Sequence, residues 1–498
     1  MSDLDLSAIR DAHVASDPGA ADVSGARPLR PLERLTLLCD EGSFRPIRPD
    51  VRSDAMGDRA RAGDGVVAGA GRIGDRPVFC YAQDASYVGG SLGGAQAETI
   101  FRVQRLAHQA RVPVIGFIES GGARMQEGLA ALGGYARIFR QHVAMSGEVP
   151  QISVITGTSA GGGSYSPALT DFVLMVEGSS MFLTGPGVVR EVMGEDVSAQ
   201  ALGGAHVHER NGVCHFRVSS DVDSIFLLRK LLGYLPQNAW EAPRLAPPAP
   251  PAGPDPGAVV PVDGRRAYDV RDAIAGIVDA DSMLEVSEAC APNLVTALAR
   301  IEGRPIGIVA NQPRHLGGVI DADASQKGAR FVRTCNAFGL PLVLLVDTPG
   351  FLPGSAQETG GVIRHGAKLL HAIAEATVPR LTVVLRKAFG GAYITMNSKD
   401  LGADLVLAWS RAELGIMGAE QAVGVIHRRE LAAAEQADAT RRRLADAYAA
   451  RHLTAEGAAR CSAVDDVIRP PETRDRLAWA LATLTAPVPG PRNRNIPL

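Results

Sequence analysis

Apolar segments alternate with amphipathic segments along the chain, and the same order occurs twice. The first series predicts a strand at 76–81, a helix at about 96–109 and buried strands at 112–118 and 152–155. The second series predicts strands at 305–310, 340–346 and 381–385, with a helix at about 325–338. In both series the last strand runs directly into paired glycines and a further helix. Apolar strands that alternate with helices predict α/β architecture with covered sheets.

The two series also share residues at fixed offsets. A shift of 228 positions pairs Arg72 with Arg300, Pro113 with Pro341 and Tyr165 with Tyr393. A shift of 229 pairs Pro150 with Pro379, and Gly161-Gly162 with Gly390-Gly391. Matches of this number, with glycine pairs and prolines at the edges of elements, predict two copies of one domain.

A proline-rich segment separates the copies. Nine prolines fall within the 26 residues 236–261, which predicts an extended linker without helix or central strand. The predicted organisation is an N-terminal tail (1–26), an N-terminal domain (27–240), a linker (241–262) and a C-terminal domain (263–498). The Ala-, Glu- and Arg-rich segment 428–451 predicts a helical excursion on the surface of the second domain.

Composition and charge are typical of a globular protein and give no sign of a nucleic-acid-binding, disulfide-rich or membrane-spanning one. The 498 residues are 46% hydrophobic and 21% charged, as in globular proteins, and the net charge of −3 gives no reason to expect a nucleic-acid partner. The six cysteines include no close pair, so neither a metal site nor a disulfide framework is expected. No apolar run is long enough for a membrane span and the N-terminus does not resemble a signal peptide, so we expect a cytoplasmic protein with no membrane partner.

Two segments share a strand, a turn of small residues and a helix: ISVITGTSAGGGSY (152–165) and LTVVLRKAFGGAYI (381–394). Glycine allows the backbone to approach a ligand closely. The first N–H groups of a helix have no partner within it and carry the positive end of its dipole. Two such donors side by side would form an oxyanion hole for a carbonyl oxygen that gains negative charge.

Three other motifs are weaker. Gly69-Ala-Gly71-Arg-Ile-Gly74 fits a dinucleotide fingerprint, but a strand follows it, so a hairpin is predicted. The segment 347–350 (DTPG) is found in GTPases, yet no phosphate-binding G-x-x-x-x-G-K-[ST] loop accompanies it. Gly157-Thr-Ser159-Ala-Gly161 fits a nucleophile elbow, and a serine hydrolase would use Ser159 with Asp404 and His427. Against this hydrolase, the repeat places Ala388 opposite Ser159.

Longer motifs make the chain resemble the carboxyltransferase (beta) subunit of biotin-dependent acyl-CoA carboxylases, such as acetyl- and propionyl-CoA carboxylase. They include ERLTLLCDEGSF (33–44), ESGGARMQEG (119–128), FLTGPGVV (182–189), DTPGFLPGSAQETGGVIRHGAKLL (347–370), LRKAFGGAY (385–393) and the terminal NIPL (495–498). The resemblance implies two tandem crotonase-like domains of the ClpP/crotonase superfamily, each a ββα superhelix. It also implies a hexamer, a trimer of dimers, with each active site between the N-terminal domain of one subunit and the C-terminal domain of its dimer partner.

The resemblance assigns roles to residues of this chain. Gly161 and Gly162 would donate N–H groups to the acyl-CoA thioester oxygen, and Gly391 and Ala392 to the ureido oxygen of carboxybiotin. The implied substrate contacts are Gly121, Gly122, Ala123, Tyr165, Tyr393 and Ile394, and the implied biotin contacts are Phe351, Gly360 and Gly361. An apolar Ile394 resembles members that accept both acetyl- and propionyl-CoA.

Biotin chemistry also defines the expected partner. Because a biotin nitrogen serves as the base, no side-chain base is required, and no metal is expected on this chain. The sequence has neither a Met-Lys-Met-type biotinylation site nor an ATP-binding glycine-rich loop. A partner (alpha) subunit with biotin carboxylase and biotin carboxyl carrier domains is therefore expected. A decarboxylase that transfers CO2 from a malonyl-type thioester to biotin is the alternative that uses the same residues.

Overall fold

The computed structural model describes residues 27–484 and 490–496. The predicted tail (1–26) and the last two residues of the NIPL motif lie outside these described residues. Two compact units divide the described chain. The first contains 27–233, 237–239 and residue 496, and the second contains 234–236, 240–484 and 490–495.

Eight strands form the sheet of the first unit. They are β1 (Arg45–Pro46), β2 (Val66–Ile73), β3 (Arg76–Gln83), β4 (Val114–Ser120), β5 (Gln151–Ala160), β6 (Phe172–Val176), β7 (Ser180–Phe182) and β8 (Phe216–Val218). The order is β1-β2-β3-β4-β5-β6-β8, and β7 pairs with the end of β5. The pairs among β1, β2 and β3 are antiparallel, and all later pairs are parallel.

The second unit repeats this sheet. Its strands are β9 (Leu284–Glu285), β10 (Leu294–Ile301), β11 (Arg304–Asn311), β12 (Leu342–Thr348), β13 (Arg380–Phe389), β14 (Leu405–Trp409), β15 (Glu413–Gly415) and β16 (Asp466–Ile468). The order is β9-β10-β11-β12-β13-β14-β16, with β15 on the end of β13. The register is irregular at equivalent places, between Ile118 and Ser120 and between Val346 and Thr348.

Helices connect and cover the strands. Up to residue 240 they are Pro31–Leu38, Gly94–Ala110, Leu129–Met145, Gly162–Ala168, Pro186–Met193, Ala199–Gly203, Ala205–Asn211 and Asp221–Tyr234. Beyond it they are Pro256–Val259, Val270–Ala275, Ala322–Ala337, Ser355–Thr359, Val362–Glu375, Gly390–Thr395, Ala419–Ile426, Arg428–Ala433, Ala437–His452, Ala455–Arg460 and Thr473–Thr483. The long helices pack apolar faces on the sheets, which is why β4 and β12 are buried and apolar along nearly their whole lengths.

The predicted α/β class and the tandem repeat are confirmed by these two sheets. The glycines of the apparent dinucleotide fingerprint lie in an antiparallel hairpin whose turn is Gly74-Asp75, as predicted.

The linker departs from the prediction, because Pro256–Val259 forms one helical turn. Pro256 occupies the first helical position, where its missing N–H costs nothing, and Asp255 caps the turn through Gly257 N–H. The predicted helical excursion consists of two helices, Arg428–Ala433 and Ala437–His452.

Candidate active site

The first glycine turn lies where β5 ends and the helix Gly162–Ala168 begins. Gly161 has φ of 56° and ψ of −123°, a conformation that a residue with a side chain rarely adopts. Its amide donates a 3.0 Å hydrogen bond to the carbonyl of Phe182 at the end of β7. The sequence predicts Gly161 as an oxyanion donor, whereas in this structure its N–H group already donates to the Phe182 carbonyl.

The next two amides of this turn have no acceptor. Gly162 and Gly163 are the first two residues of the helix, where N–H groups lack intrahelical partners. Among the described residues, no carbonyl or side chain accepts a hydrogen bond from either amide. The free donor pair at the first turn is therefore Gly162 and Gly163, one residue later than predicted.

The second turn repeats the first. β13 ends at Phe389, Gly390 has φ of 60°, and the helix Gly390–Thr395 follows. Gly391 and Ala392 donate to no acceptor within the described part of the chain. The 229-residue offset pairs Gly162 with Gly391 and places Gly163 opposite Ala392, so the free amides occupy equivalent positions in the two units.

A loop after β4 lies beside the first turn. A Cβ on Gly122 would lie 3.5 Å from the carbonyl oxygen of Ala160. The Gly121 amide donates to the Gly89 carbonyl at 2.9 Å, and the Gly122 amide donates to Ser120 Oγ at 3.3 Å. Three of the predicted substrate residues, Gly121, Gly122 and Ala123, lie in this loop. Of these, only Ala123 keeps an amide without an acceptor among the described residues.

The equivalent loop of the second unit contains Phe351. Its ring lies beside the second turn, since a Cβ on Gly391 would be 3.8 Å from it. The Phe351 amide, like that of Ala123, has no acceptor in the described part of the chain. The Gly360 and Gly361 amides instead donate to the Ala356 and Glu358 carbonyls, at 2.9 and 3.0 Å. These two glycines shape the start of the next helix and offer no free backbone donor.

A cavity of about 810 Å³ opens beside the second turn. Its lining includes Gly391, Tyr393 and Ile394 from the turn and helix, and Arg451, His452 and Cys461 from later in the chain. The Tyr393 hydroxyl donates to the Ala463 carbonyl at 3.3 Å, which holds the ring against this cavity. Tyr165, the remaining predicted contact, is 53% exposed in the first unit, with its ring 6.3 Å from that of Phe139.

A buried ion-pair network that the sequence analysis misses supports the first site. The fully buried Arg124 guanidinium contacts Asp64 at 2.6 Å and Glu127 at 2.8 Å, and it donates to the Ser91 carbonyl at 3.0 Å. Burial raises the pKa of Asp64, although Arg124 acts against that shift. The network ties the loop after β4 to the loop that precedes the helix Gly94–Ala110. The signal in the sequence is the ARMQE part of the motif at 119–128.

The second unit has its own buried cluster, at the end of β12. Asp347 accepts hydrogen bonds from Arg386 Nε at 2.9 Å and from the Tyr268 hydroxyl at 3.0 Å. Burial raises the pKa of Asp347, and burial raises that of Tyr268 well above its ordinary value. The aspartate of the DTPG segment is thus a structural anchor beneath the loop that carries Phe351.

The three residues of the predicted hydrolase each have contacts of another kind within their own unit. Ser159 is buried, and its Oγ has no hydrogen-bond partner among the described residues. His427 Nδ1 lies 2.8 Å from Glu430, and Asp404 accepts from the Arg380 amide at 2.8 Å. A serine nucleophile needs a base within hydrogen-bond reach, and no described residue provides one for Ser159.

Within 27–484 and 490–496, two further kinds of feature are absent. No group of three or more His, Cys, Asp or Glu side chains there is arranged to hold a metal ion. None of the helices in the same ranges combines the length and the apolar character needed to cross a membrane.

Comparison with known proteins gives matches over nearly the whole chain. A family model described as the carboxyl transferase domain matches residues 29–493. The chain is 47% identical over 475 residues to the methylmalonyl-CoA carboxyltransferase 12S subunit of Propionibacterium freudenreichii subsp. shermanii, covering 93% of this chain and 91% of that one. It is 45% identical over 512 residues to the propionyl-CoA carboxylase beta chain of Saccharopolyspora erythraea, covering 98% and 93%.

A solved structure of transcarboxylase 12S, with methylmalonyl-CoA and methylmalonic acid bound, superposes with a TM-score of 0.90 at 45% identity. The match covers 98% of this chain and 94% of that one. That protein is crotonase-like and has two domains, which confirms the predicted fold class.

Proposed function

Because the chain belongs to the carboxyl transferase family, as its motifs predict, we propose that it transfers a carboxyl group from carboxybiotin to the α-carbon of a short acyl-CoA. The proposed substrates are acetyl- and propionyl-CoA, which become malonyl- and methylmalonyl-CoA. The observation that carries the proposal is the pair of equivalent glycine turns, each with two backbone amides that have no acceptor. Such amides are suited to oxygen atoms that gain negative charge during a reaction.

On the acyl-CoA side, Gly162 and Gly163 would donate to the thioester oxygen. Removal of the α-proton places negative charge on this oxygen, and the two amides stabilise that charge at the start of a helix. Gly161 contributes its left-handed backbone, which turns the chain so that the next two N–H groups are free. The free Ala123 amide lies on the adjacent loop, in keeping with a substrate contact there.

On the biotin side, Gly391 and Ala392 would hold the ureido oxygen. Carboxybiotin, when bound, supplies CO2 and a nitrogen base for the α-proton. The residues present fit this group, because Gly391, whose amide has no acceptor among the described residues, lines a cavity of about 810 Å³, within the size range of ligand pockets. The Phe351 ring adds an apolar surface against Gly391. Tyr393 and Ile394 line the same cavity and would contact the bound groups.

We also propose partners for this reaction. The N-terminal domain (27–240) would bind acyl-CoA and the C-terminal domain (263–498) would bind biotin carried by a biotin carboxylase and carrier subunit. The solved transcarboxylase 12S is described as a hexamer, and at 45% identity this chain is proposed to assemble in the same way.

Free biotin and a carboxyacyl-CoA test the function without the partner subunit. The same amides serve both directions of transfer, so the purified chain should release CO2 from malonyl- and methylmalonyl-CoA in the presence of biotin. The measurement is CO2 release from these two and from longer carboxyacyl-CoAs, with and without biotin. Absence of biotin-dependent release from every thioester would contradict the proposal.

A Ser159→Ala variant separates this function from ester hydrolysis. The carboxyl-transfer proposal predicts that biotin-dependent CO2 release is largely retained, because Ser159 Oγ does not face an acceptor or a base. A hydrolase with Ser159 as its nucleophile would lose its esterase activity in the same variant.

A further inference from the structure

Ser164 lies immediately behind the first glycine turn, in the helix Gly162–Ala168. Its side chain is buried, with 6% of the residue exposed. Its Oγ is 2.9 Å from the carbonyl oxygen of Ser159 in β5 and 2.9 Å from that of Phe182 in β7. Its backbone amide donates to the Gly161 carbonyl at 3.0 Å.

Ser164 therefore forms hydrogen bonds to three backbone carbonyls around the turn, those of Ser159, Phe182 and Gly161. The carbonyl of Phe182 accepts from both the Gly161 amide and the Ser164 hydroxyl, so β7 is fastened to the turn at two points. The hydroxyl has a single proton, which is shared between two strand ends. Removal of the hydroxyl would leave buried carbonyls with fewer donors, and the strand ends would shift to recover them.

We propose that Ser164 is a positioning residue that fixes the direction of the Gly162 and Gly163 amides. Oxyanion donors act only when they are aimed at the place where charge develops, and displacements below 1 Å weaken them. This inference rests on the proposed function, since it concerns the donors assigned to the acyl-CoA side.

Among the residues that the structure describes, none holds the second turn as Ser164 holds the first. The 229-residue offset places Tyr393 opposite Ser164, and the Tyr393 hydroxyl donates to Ala463, away from the strand ends beside the turn. Thr395 Oγ1 donates instead to the Gly391 carbonyl at 2.9 Å. The effect of Ser164 should therefore be limited to stabilisation of the acyl-CoA oxygen.

Ser164→Ala in the full-length protein tests the proposal. With free biotin and methylmalonyl-CoA, kcat should fall about tenfold, because the amides stabilise charge that exists only in the transition state. KM for methylmalonyl-CoA should change by less than about twofold. Ser164→Thr, which keeps a hydroxyl at the same place, should recover most of the lost kcat.

A binding measurement separates positioning from general damage. A CoA analogue that carries a nitronate in place of the thioester enolate places negative charge on the same oxygen. Ser164→Ala should bind this analogue about tenfold more weakly and bind propionyl-CoA as the unmodified protein does. A structural defect alone would weaken both ligands together.

Ser166→Ala is the matched control. Ser166 is in the same helix and is also 6% exposed, but its Oγ contacts His142 Nε2 at 2.9 Å instead of the strand ends. This variant should keep kcat and analogue affinity near those of the unmodified protein. Unchanged kcat in Ser164→Ala, or equal losses in both variants, would overturn the positioning role. If the unmodified protein releases no CO2 from any carboxyacyl-CoA in a biotin-dependent manner, the proposed function itself fails.

Discussion

Ile394 lies on the helical turn directly after the second glycine turn, and its side chain lines the cavity beside Gly391. The residue is 48% exposed, which leaves its apolar surface open to a ligand. We predict that Ile394→Asp changes the ratio of kcat/KM for propionyl-CoA to kcat/KM for acetyl-CoA by about tenfold, since a carboxylate replaces an apolar surface of the cavity. Competition between propionyl-CoA and acetyl-CoA in the carboxylation reaction measures the ratio of their kcat/KM values.

Ile394→Val provides the control for this change. It keeps an apolar, β-branched side chain and should leave the preference within about twofold. An unchanged ratio in Ile394→Asp would remove Ile394 from the acyl pocket.

We predict that the buried Arg124 contributes strongly to the free energy of unfolding of the first unit. Arg124→Gln would leave Asp64 and Glu127 without their buried cation, so the free energy of unfolding should fall by about 3–5 kcal/mol. Urea denaturation measures the change. Arg137→Gln, which breaks an exposed 4.0 Å pair with Glu98, should cost less than about 1 kcal/mol. Equal losses in the two variants would contradict the role of the buried network.

The glycine turns could be predicted from sequence because strand, small residues and helix are contiguous. The choice between Gly161 and Gly163 as a donor could not, because it depends on the Phe182 carbonyl, which β7 brings from 21 positions away. The Arg124 network was missed for the same reason. Its carboxylate partner Asp64 is 60 residues distant, and only the assembled sheet places the two together.

At the scale of elements, the helix Ala437–His452 forms part of the cavity wall but is weakly anchored. Of its sixteen residues, all described, only Ala445 is buried, in a small cluster with Val423 and Leu431. The helix Gly94–Ala110 has similar length and buries seven residues. We predict that amides of Ala437–His452 exchange with deuterium at least about tenfold faster, because local opening exposes little apolar surface. Mass spectrometry of exchanged peptides measures both helices, and equal protection would contradict this account.

Element order and type were largely predictable, while element ends were not. Strand β5 was predicted at 152–155 and extends to Ala160, since pairing with β7 continues the ladder to the glycine turn. The excursion at 428–451 was predicted to be helical from its composition. The structure interrupts it between Ala433 and Ala437, where Gln436 has a ψ of 73°.

At the scale of the whole molecule, the proposed hexamer predicts a mass six times the 52.2 kDa of the chain. Several large apolar side chains are exposed, including Met125 at 91% and Leu129 at 84%, and contacts between copies would cover such surface. Size-exclusion chromatography with light scattering measures the mass. A monomeric mass across micromolar concentrations would contradict the proposed assembly.

The central claim is that backbone amides, rather than side chains, stabilise the charges of carboxyl transfer. Gly391 allows this to be tested with a matched pair of variants, because a Cβ there would meet only the Phe351 ring, at an ordinary 3.8 Å. Gly391→Ala keeps the N–H group, whereas Gly391→Pro removes it. Gly162 does not offer such a pair, since a Cβ there would lie 2.7 Å from the Tyr135 ring.

The decisive measurement is kcat for biotin-dependent CO2 release from methylmalonyl-CoA by these two variants, with thermal denaturation as a check on folding. Gly391→Ala should retain most of the turnover, and Gly391→Pro should lose about 10²–10³-fold, the effect of removing one oxyanion donor. Equal turnover by two folded variants would contradict the account.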